Sequence, residues 1–197
     1  MLQFHMSIFH NFKWDFESEV DIGERSLKIK AHPNSDCFVD PADGKKIFNA
    51  AFFHMETEKD FTIRAKVSHS FKSEYDACVL MVMSNENCWV KLCFELTDIG
   101  THAVVSVVTN GVSDDANGVD IDGKQVYLQL AKKGHLFALH YSLDGSNYNM
   151  VRYFSLPIRE TCKVGFVAQS PRGEGGDFLF EDIEINYTTA KDFRKGI

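Results

Sequence analysis

Much that would mark a familiar protein class is missing from this chain. No stretch approaches the ~18 consecutive apolar residues of a membrane-spanning helix, so no membrane partner is expected. Lys and Arg number 21 against 28 Asp and Glu, a formal net charge of −7. A protein that tracks phosphates usually carries a basic surface, so nucleic acid is not an expected partner either. The opening residues MLQFHMSIFHNFKW show neither a basic n-region nor a sustained apolar h-region, and no secretory signal is expected there. The five cysteines (Cys37, Cys78, Cys88, Cys93 and Cys162) are odd in number and contain no CxxC pair. Buried, reduced thiols in a cytoplasmic protein are the expectation, and the sequon at Asn186-Tyr187-Thr188 carries little weight in that setting.

Sequence marks of catalysis and cofactor binding are also missing. The eight histidines form no i,i+2 pair and no HExxH spacing, so no zinc site is expected. Residues 114–123 are acidic and turn-rich but miss the EF-hand pattern, which reads as a solvated loop. Gly173-Glu174-Gly175-Gly176 lacks the strand–glycine–helix context of a phosphate cradle. There is no GxSxG and no Cys–His arrangement, so no cofactor is expected and no reaction is assigned.

Strand signals, by contrast, recur along the whole chain. Residues 61–67 place Phe61, Ile63, Ala65 and Val67 at alternate positions, and 77–83 is a continuous apolar run of the kind covered on both faces. Further strand-like runs occupy 27–30, 102–109, 126–130, 136–143, 148–154, 162–168 and 178–187. Asp144-Gly145 between two of them signals a hairpin. The helix candidates are short, a turn near 47–53 and a polar tail after Thr188. With 44% hydrophobic residues and 17 Phe, the chain suits an all-β, two-sheet antiparallel β-sandwich spanning residues 1–197 as a single domain.

Residues 89–96 alternate strictly. Val90, Leu92, Phe94 and Leu96 fall on one face, and Trp89, Lys91, Cys93 and Glu95 on the other. An aromatic plate flanked by a cation and an anion suits a shallow polar-ligand site. The bland alternative is an exposed ion pair worth about 0–1 kcal/mol beside an ordinary aromatic.

A set of stretches in fixed order carries a family resemblance. They are Asp36-Cys37-Phe38-Val39-Asp40-Pro41, the runs at 60–67, 75–82, 89–95 and 105–109 with Ser113-Asp114 beyond, Tyr141-Ser142-Leu143-Asp144-Gly145-Ser146, Arg152, and Val164-Gly165-Phe166-Val167-Ala168-Gln169-Ser170-Pro171. In this order the chain resembles the concanavalin A-like lectin/glucanase jelly rolls. More narrowly, it resembles the family of unknown function that includes the fungal "regulation of enolase" protein and bacterial relatives. The resemblance implies a jelly roll with one convex and one concave face, and little about activity.

Jelly rolls of this superfamily commonly hold sugars on the concave face, so the candidate ligand-binding residues are Trp89, Lys91, Glu95, Arg152, Asp76, Ser106 and Gln129. His140 or Tyr141, and Tyr153 beside Arg152, are possible additions, and Arg172 is a contact from the Gly-rich loop, which is expected to cover the mouth. Aromatic rings cover the C–H face of a pyranose while charged groups bond its hydroxyls. Retaining glucanases on this fold carry E-x-D-x-x-E on one strand, and no segment here has it. Glu181 and Glu184 point to opposite faces, and a pair between Glu95 and Asp76 is weakened by nearby Lys91. A carbohydrate- or small-polar-ligand module is therefore the first reading. A regulatory protein docking a protein partner is the second, and a glycoside hydrolase the weakest.

Overall fold

The computed structural model describes residues 7–158, 160–188 and 190–197. The expectation about a signal at the N-terminus therefore falls partly, and His5 entirely, outside the described residues. In chain order the strands begin β1 (Lys13–Asp15), β2 (Val20–Ile22), β3 (Leu27–Ala31), β4 (Cys37–Val39), β5 (Lys46–Phe48) and β6 (Ala51–Thr57). Five long strands follow: β7 (Phe61–His69), β8 (Ala77–Asn85), β9 (Cys88–Leu96), β10 (His102–Asn110) and β11 (Val112–Asp120). The last are β12 (Gln125–Lys133), β13 (Leu136–Ser142), β14 (Asn149–Ser155), β15 (Cys162–Gln169) and β16 (Gly176–Asn186). Among the described residues no helix is long and apolar enough to cross a membrane.

Two seven-stranded antiparallel sheets form a sandwich. The first runs β1-β6-β15-β8-β9-β10-β11, the second β14-β13-β12-β7-β16-β3-β2, and β4-β5 is a separate hairpin. Period-two patterning decides what each strand buries. From β9, Val90, Leu92 and Phe94 enter the core between the sheets, where they meet residues such as Ile63, Leu130, Phe166 and Phe180. Each large side chain so buried contributes about 1.5–3 kcal/mol. The run at 77–83 is apolar on both faces because both are covered: Cys78, Leu80 and Val82 face the core, while Ala77, Val79, Met81 and Met83 join a second cluster on the outer face of the first sheet. That second cluster includes Cys37 and Val39 of the β4-β5 hairpin, with Phe38 and Phe48 packed against it. The hairpin thus straps over part of a face that a plain sandwich would leave open.

Three local expectations are corrected. The helix expected near 47–53 is the end of β5 and the start of β6. Its apolar residues divide with period two, Ala51 and Phe53 into the core and Ala50 and Phe52 into the outer cluster. The acidic loop expected at 114–123 is mostly strand β11, paired with β10 along the sheet edge. Its register breaks between Ala103 and Val105, where Gly118 lies so close to the backbone that a Cβ would stand 2.6 Å from the Val104 carbonyl oxygen. The tail after residue 188 forms no helix over 190–197. The Asp192 carboxylate accepts from the Arg194 and Lys195 amides, and the Gly196 carbonyl accepts from Gln129 Nε2 at 3.1 Å, which seats the tail on the second sheet.

Candidate functional site

Lys91 and Glu95 stand on the outer face of the first sheet, the side of β9 opposite Val90, Leu92 and Phe94. Directly across from Lys91 are Met81 on β8 and Val107 on β10, and Val107 is in turn paired with Asp115 on β11. Two strand steps on, Glu95 is flanked by Ala77 and Ala103, with Gln169 beyond Ala77. Two alanines beside one long acid leave space above the sheet. The result is a recess of about 330 Å³ lined by Lys91, Glu95, Asp36, Phe38, Tyr75, Gln169 and their neighbours.

The charges in this recess are not balanced. Lys91 is only 2% exposed, and its ammonium donates to Asp36 Oδ1 and Gln169 Oε1, each at 3.1 Å. Burial is the largest influence and disfavours that charge, but Asp36 and the other acidic groups around it together outweigh burial and hold the amine protonated. Glu95 is 7% exposed and, among the described residues, has no hydrogen-bond or salt-bridge partner. Burial pushes its carboxyl up to about 8; Lys91 opposes the shift, while Asp115, Asp36 and Asp98 reinforce it. Partial burial also raises Asp115, which sits toward the open side, again against Lys91. The thiols of Cys37 and Cys93 are pushed up by burial, Cys37 to about 12, so neither supplies a thiolate.

The aromatic at the mouth is Tyr75. Its backbone adopts φ 68°, a left-handed conformation that is costly for a bulky residue. It is fixed by its amide donating to the Leu96 carbonyl at 2.6 Å and its carbonyl accepting from Gln169 Nε2 at 3.4 Å. The Arg172 guanidinium lies 4.9 Å from the Tyr75 ring centroid and pairs with Glu74. Arg172 therefore lines the recess, as the Gly-rich loop suggested, but the loop itself does not cover the mouth. Gly173 and Gly175 instead pack back on residues 31–34, with the Asn34 amide donating to the Gly173 carbonyl.

The other expected site residues lie elsewhere. Trp89 shares the face of Lys91 but is fully buried under the hairpin, its ring 5.4 Å from that of Phe48 and its indole N–H without a partner. Asp76 is a buried brace: its carboxylate accepts from the Ser73 amide at 3.0 Å and the Ser170 hydroxyl at 2.6 Å. Ser106 is paired with Leu92 and so faces the core side, because the valines flanking it belong to the outer cluster. Gln129 belongs to the second sheet, where it is bonded to Arg64 and the Gly196 carbonyl. His140, on the same sheet, donates from Nε2 to the Arg194 carbonyl at 3.0 Å, and Tyr141 packs against the core. Arg152 reaches from β14 to Asp114 at 3.1 Å, with Tyr153 beside Phe193. None of these converges with Lys91 and Glu95.

A larger hollow of about 540 Å³ lies between the second sheet and the chain's last residues, lined by Arg64, Glu184, Asp192 and Gly196 among others. Its central polar groups are already satisfied, Arg64 by Gln129 and Glu184. The recess at Glu95 is lined by a carboxyl that has no protein partner among the described residues, and is the stronger candidate. Among the described residues no group of three or more His, Cys, Asp or Glu side chains is arranged to hold a metal ion.

Pattern reading missed Asp36, Tyr75, Gln169 and Asp115 as lining residues. The first three fall inside the stretches that carry the family resemblance.

The chain belongs to the family described as "Protein of unknown function (DUF1349)", whose model matches residues 14–188. It is 28% identical over 141 residues to "Regulation of enolase protein 1" of Saccharomyces cerevisiae, covering 71% of each chain. A functionally unknown protein from Saccharomyces cerevisiae superposes with a TM-score of 0.84 at 22% identity, over 92% of this chain and 99% of that one. The carbohydrate binding module CBM66 from Bacillus subtilis gives 0.60 at 11% identity, over 92% and 98%. The GH43 protein BlXynB from Bacillus licheniformis gives 0.65 at 13%, over 91% of this chain but 39% of that one. At these identities the structural likenesses establish the fold, a jelly roll of the concanavalin A-like type, and nothing beyond it.

Proposed function

We propose, with membership of this family as the premise, that the recess around Lys91 and Glu95 binds a small polar ligand, a carbohydrate first among them. The observation that carries this reading is Glu95, a residue more than nine-tenths buried whose carboxyl lines a hollow and has no protein partner among the described residues. Its oxygens keep access to the recess, so an incoming hydroxyl meets a carboxyl with no competing protein partner. A ligand hydroxyl is the natural partner. Tyr75 and Phe38 offer aromatic surface to the C–H face of a sugar ring, and Gln169, bonded to both Lys91 and the Tyr75 carbonyl, holds that surface in place. The volume sits at the lower end of the ~300–1,000 Å³ usual for small-molecule sites, which suits one small molecule.

A sugar-binding module and GH43 chains among the structural neighbours support the sugar class by analogy of fold alone. A regulatory role through a protein partner draws on the yeast relative's name, whereas the recess is a property of this chain. Five free, buried cysteines support a cytoplasmic setting, and one core shared by both sheets supports a single domain over residues 1–197.

Titration calorimetry against a panel of mono- and disaccharides tests the proposal. Saturable binding is expected, weakened about tenfold or more by Tyr75→Ala or Gln169→Ala and untouched by Trp89→Phe. A chain that binds nothing in the panel, or whose binding responds to Trp89→Phe and not to the other two, refutes it.

A further inference from the structure

The acid content of the recess exceeds what its cations can neutralise. Lys91 is committed to Asp36 and Gln169, and Arg172 turns toward Glu74 and the Tyr75 ring. Three carboxylates remain around Glu95: Asp115 from β11, Asp98 from the turn after β9, and Asp40 from the hairpin. A neutral sugar would hydrogen-bond these groups but leave the excess negative charge in place. A ligand bearing one positive charge removes it, and the acids are too dispersed to form a metal cage.

Resting on the binding function proposed above, we infer that the ligand is an amino sugar, whose protonated amine pairs with Glu95, with the Asp115 carboxylate adding negative field from the open side, while its ring lies against Tyr75. Both acids lie on the outer face of the first sheet, Glu95 beside Ala103 on the neighbouring strand and Asp115 across Val107 from Lys91. The nearest groups acting on Glu95 are Lys91 on its own strand, Asp36 before the hairpin, Asp98 and Asp115. Lys91 is the one cation among them, and its ammonium already has two acceptors. Lys91 is the largest single charge acting on Glu95, and Asp115, Asp36 and Asp98 together oppose it, so an ammonium arriving there gains three further carboxylates as counter-charges. Because burial keeps Glu95 largely protonated at pH 7, pairing must expel its proton to solvent, and binding is coupled to proton release.

The test is titration calorimetry of the full chain at pH 7 with glucosamine, galactosamine and mannosamine. The parent hexoses and the N-acetyl derivatives are run beside them, each in two buffers of different ionisation enthalpy. At least one amino sugar is expected to bind tenfold or more tightly than its neutral counterparts and to release close to one proton per ligand, in the direction the raised Glu95 requires. Glu95→Gln is expected to abolish both the amine preference and the proton release, leaving the amino sugar no tighter than its neutral counterparts in the same variant. Asp115→Asn, at the open side and tolerant of change, is expected to reduce the preference several-fold and serves if Glu95→Gln does not fold. Neutral and amino sugars binding alike without proton release overturns the inference and leaves the binding site standing. An amine preference that survives both substitutions also overturns it, and no sugar binding at all removes the inference together with the reading beneath it.

Discussion

Lys91 Nζ lies 3.1 Å from Asp36 Oδ1, an ion pair between a central strand and the residue where the chain enters the β4-β5 hairpin. Asp36 also accepts from the Cys37 amide at 2.7 Å, and its carbonyl accepts from the Asn49 and Ala50 amides, so both ends of the hairpin meet at this residue. The pair therefore ties the strap that covers Trp89 to the floor of the recess.

Breaking that pair from one side leaves the other charge without its counter-ion. Lys91→Ala or Asp36→Ala is expected to cost about 3–5 kcal/mol, because the uncompensated charge, and not the lost attraction, dominates. Lys91→Met combined with Asp36→Asn is expected to recover most of that loss. Urea denaturation of the two single variants and the double variant reads the coupling. Strictly additive losses would mean that the pair is not a unit.

Glu95 makes stability depend on pH with an unusual sign. Its carboxyl has an ordinary value of 4.5 and is raised by burial to about 8 in the folded chain. Between those values the folded state holds a proton that the unfolded state has lost, so stability falls as pH rises from about 4.5 to about 8 and then levels. The common carboxylate, lowered in the fold, behaves in the opposite way. Glu95→Gln removes this contribution, so the variant is expected to gain a few kcal/mol relative to the parent between pH 5 and pH 8. Denaturant midpoints measured at intervals across that range provide the check, and parallel curves for the two proteins would show that Glu95 is not raised.

How far the sequence foretold this site depends on whether the determining contact is local. Strand β9 could be read because its alternation is a property of consecutive residues, and it put Lys91 and Glu95 on one face correctly. Trp89 follows the same alternation, yet its burial is decided by Phe48, a residue on a hairpin distant in sequence. That hairpin was hard to foresee because Ile47 to Phe53 carries apolar residues on both faces, which blurs period two. Ser106 misled for a related reason: its flanking valines pack outward under the same cover, reversing the usual inward rule. Gln129 and Arg152 lie on the other sheet, and sheet membership follows from long-range pairing that no local pattern encodes. Asp36, Tyr75 and Gln169 stood in the motifs that suggested the fold, and spatial convergence alone reveals them as a lining.

Gly165 lies in the same outer row as Lys91, between His54 and Met81. A Cβ there would stand 2.1 Å from the Phe53 carbonyl oxygen and 2.7 Å from His54 Cα, both backbone atoms that cannot swing aside. Gly165→Ala is therefore expected to cost at least the ~1–3 kcal/mol usual for overpacking, by forcing β6 and β15 apart. A thermal melt by circular dichroism reads the loss, and an unchanged midpoint would mean that the two strands are not so close.

Trp89 separates packing from recognition. Its side chain is fully buried, and its indole N–H finds no acceptor, so the ring contributes area while the N–H is a liability. Trp89→Phe discards the orphaned donor along with some of the area, and the two effects oppose each other. The variant is expected to stay within about 1 kcal/mol of the parent, whereas Trp89→Ala opens a cavity under Phe48 and costs about 3–5 kcal/mol. Because the indole lies beneath the hairpin and does not line the recess, ligand affinity in Trp89→Phe is expected to match that of the parent. A Phe variant that melts like the parent yet no longer binds would place the indole in the site and require the hairpin to lift for the ligand to reach it.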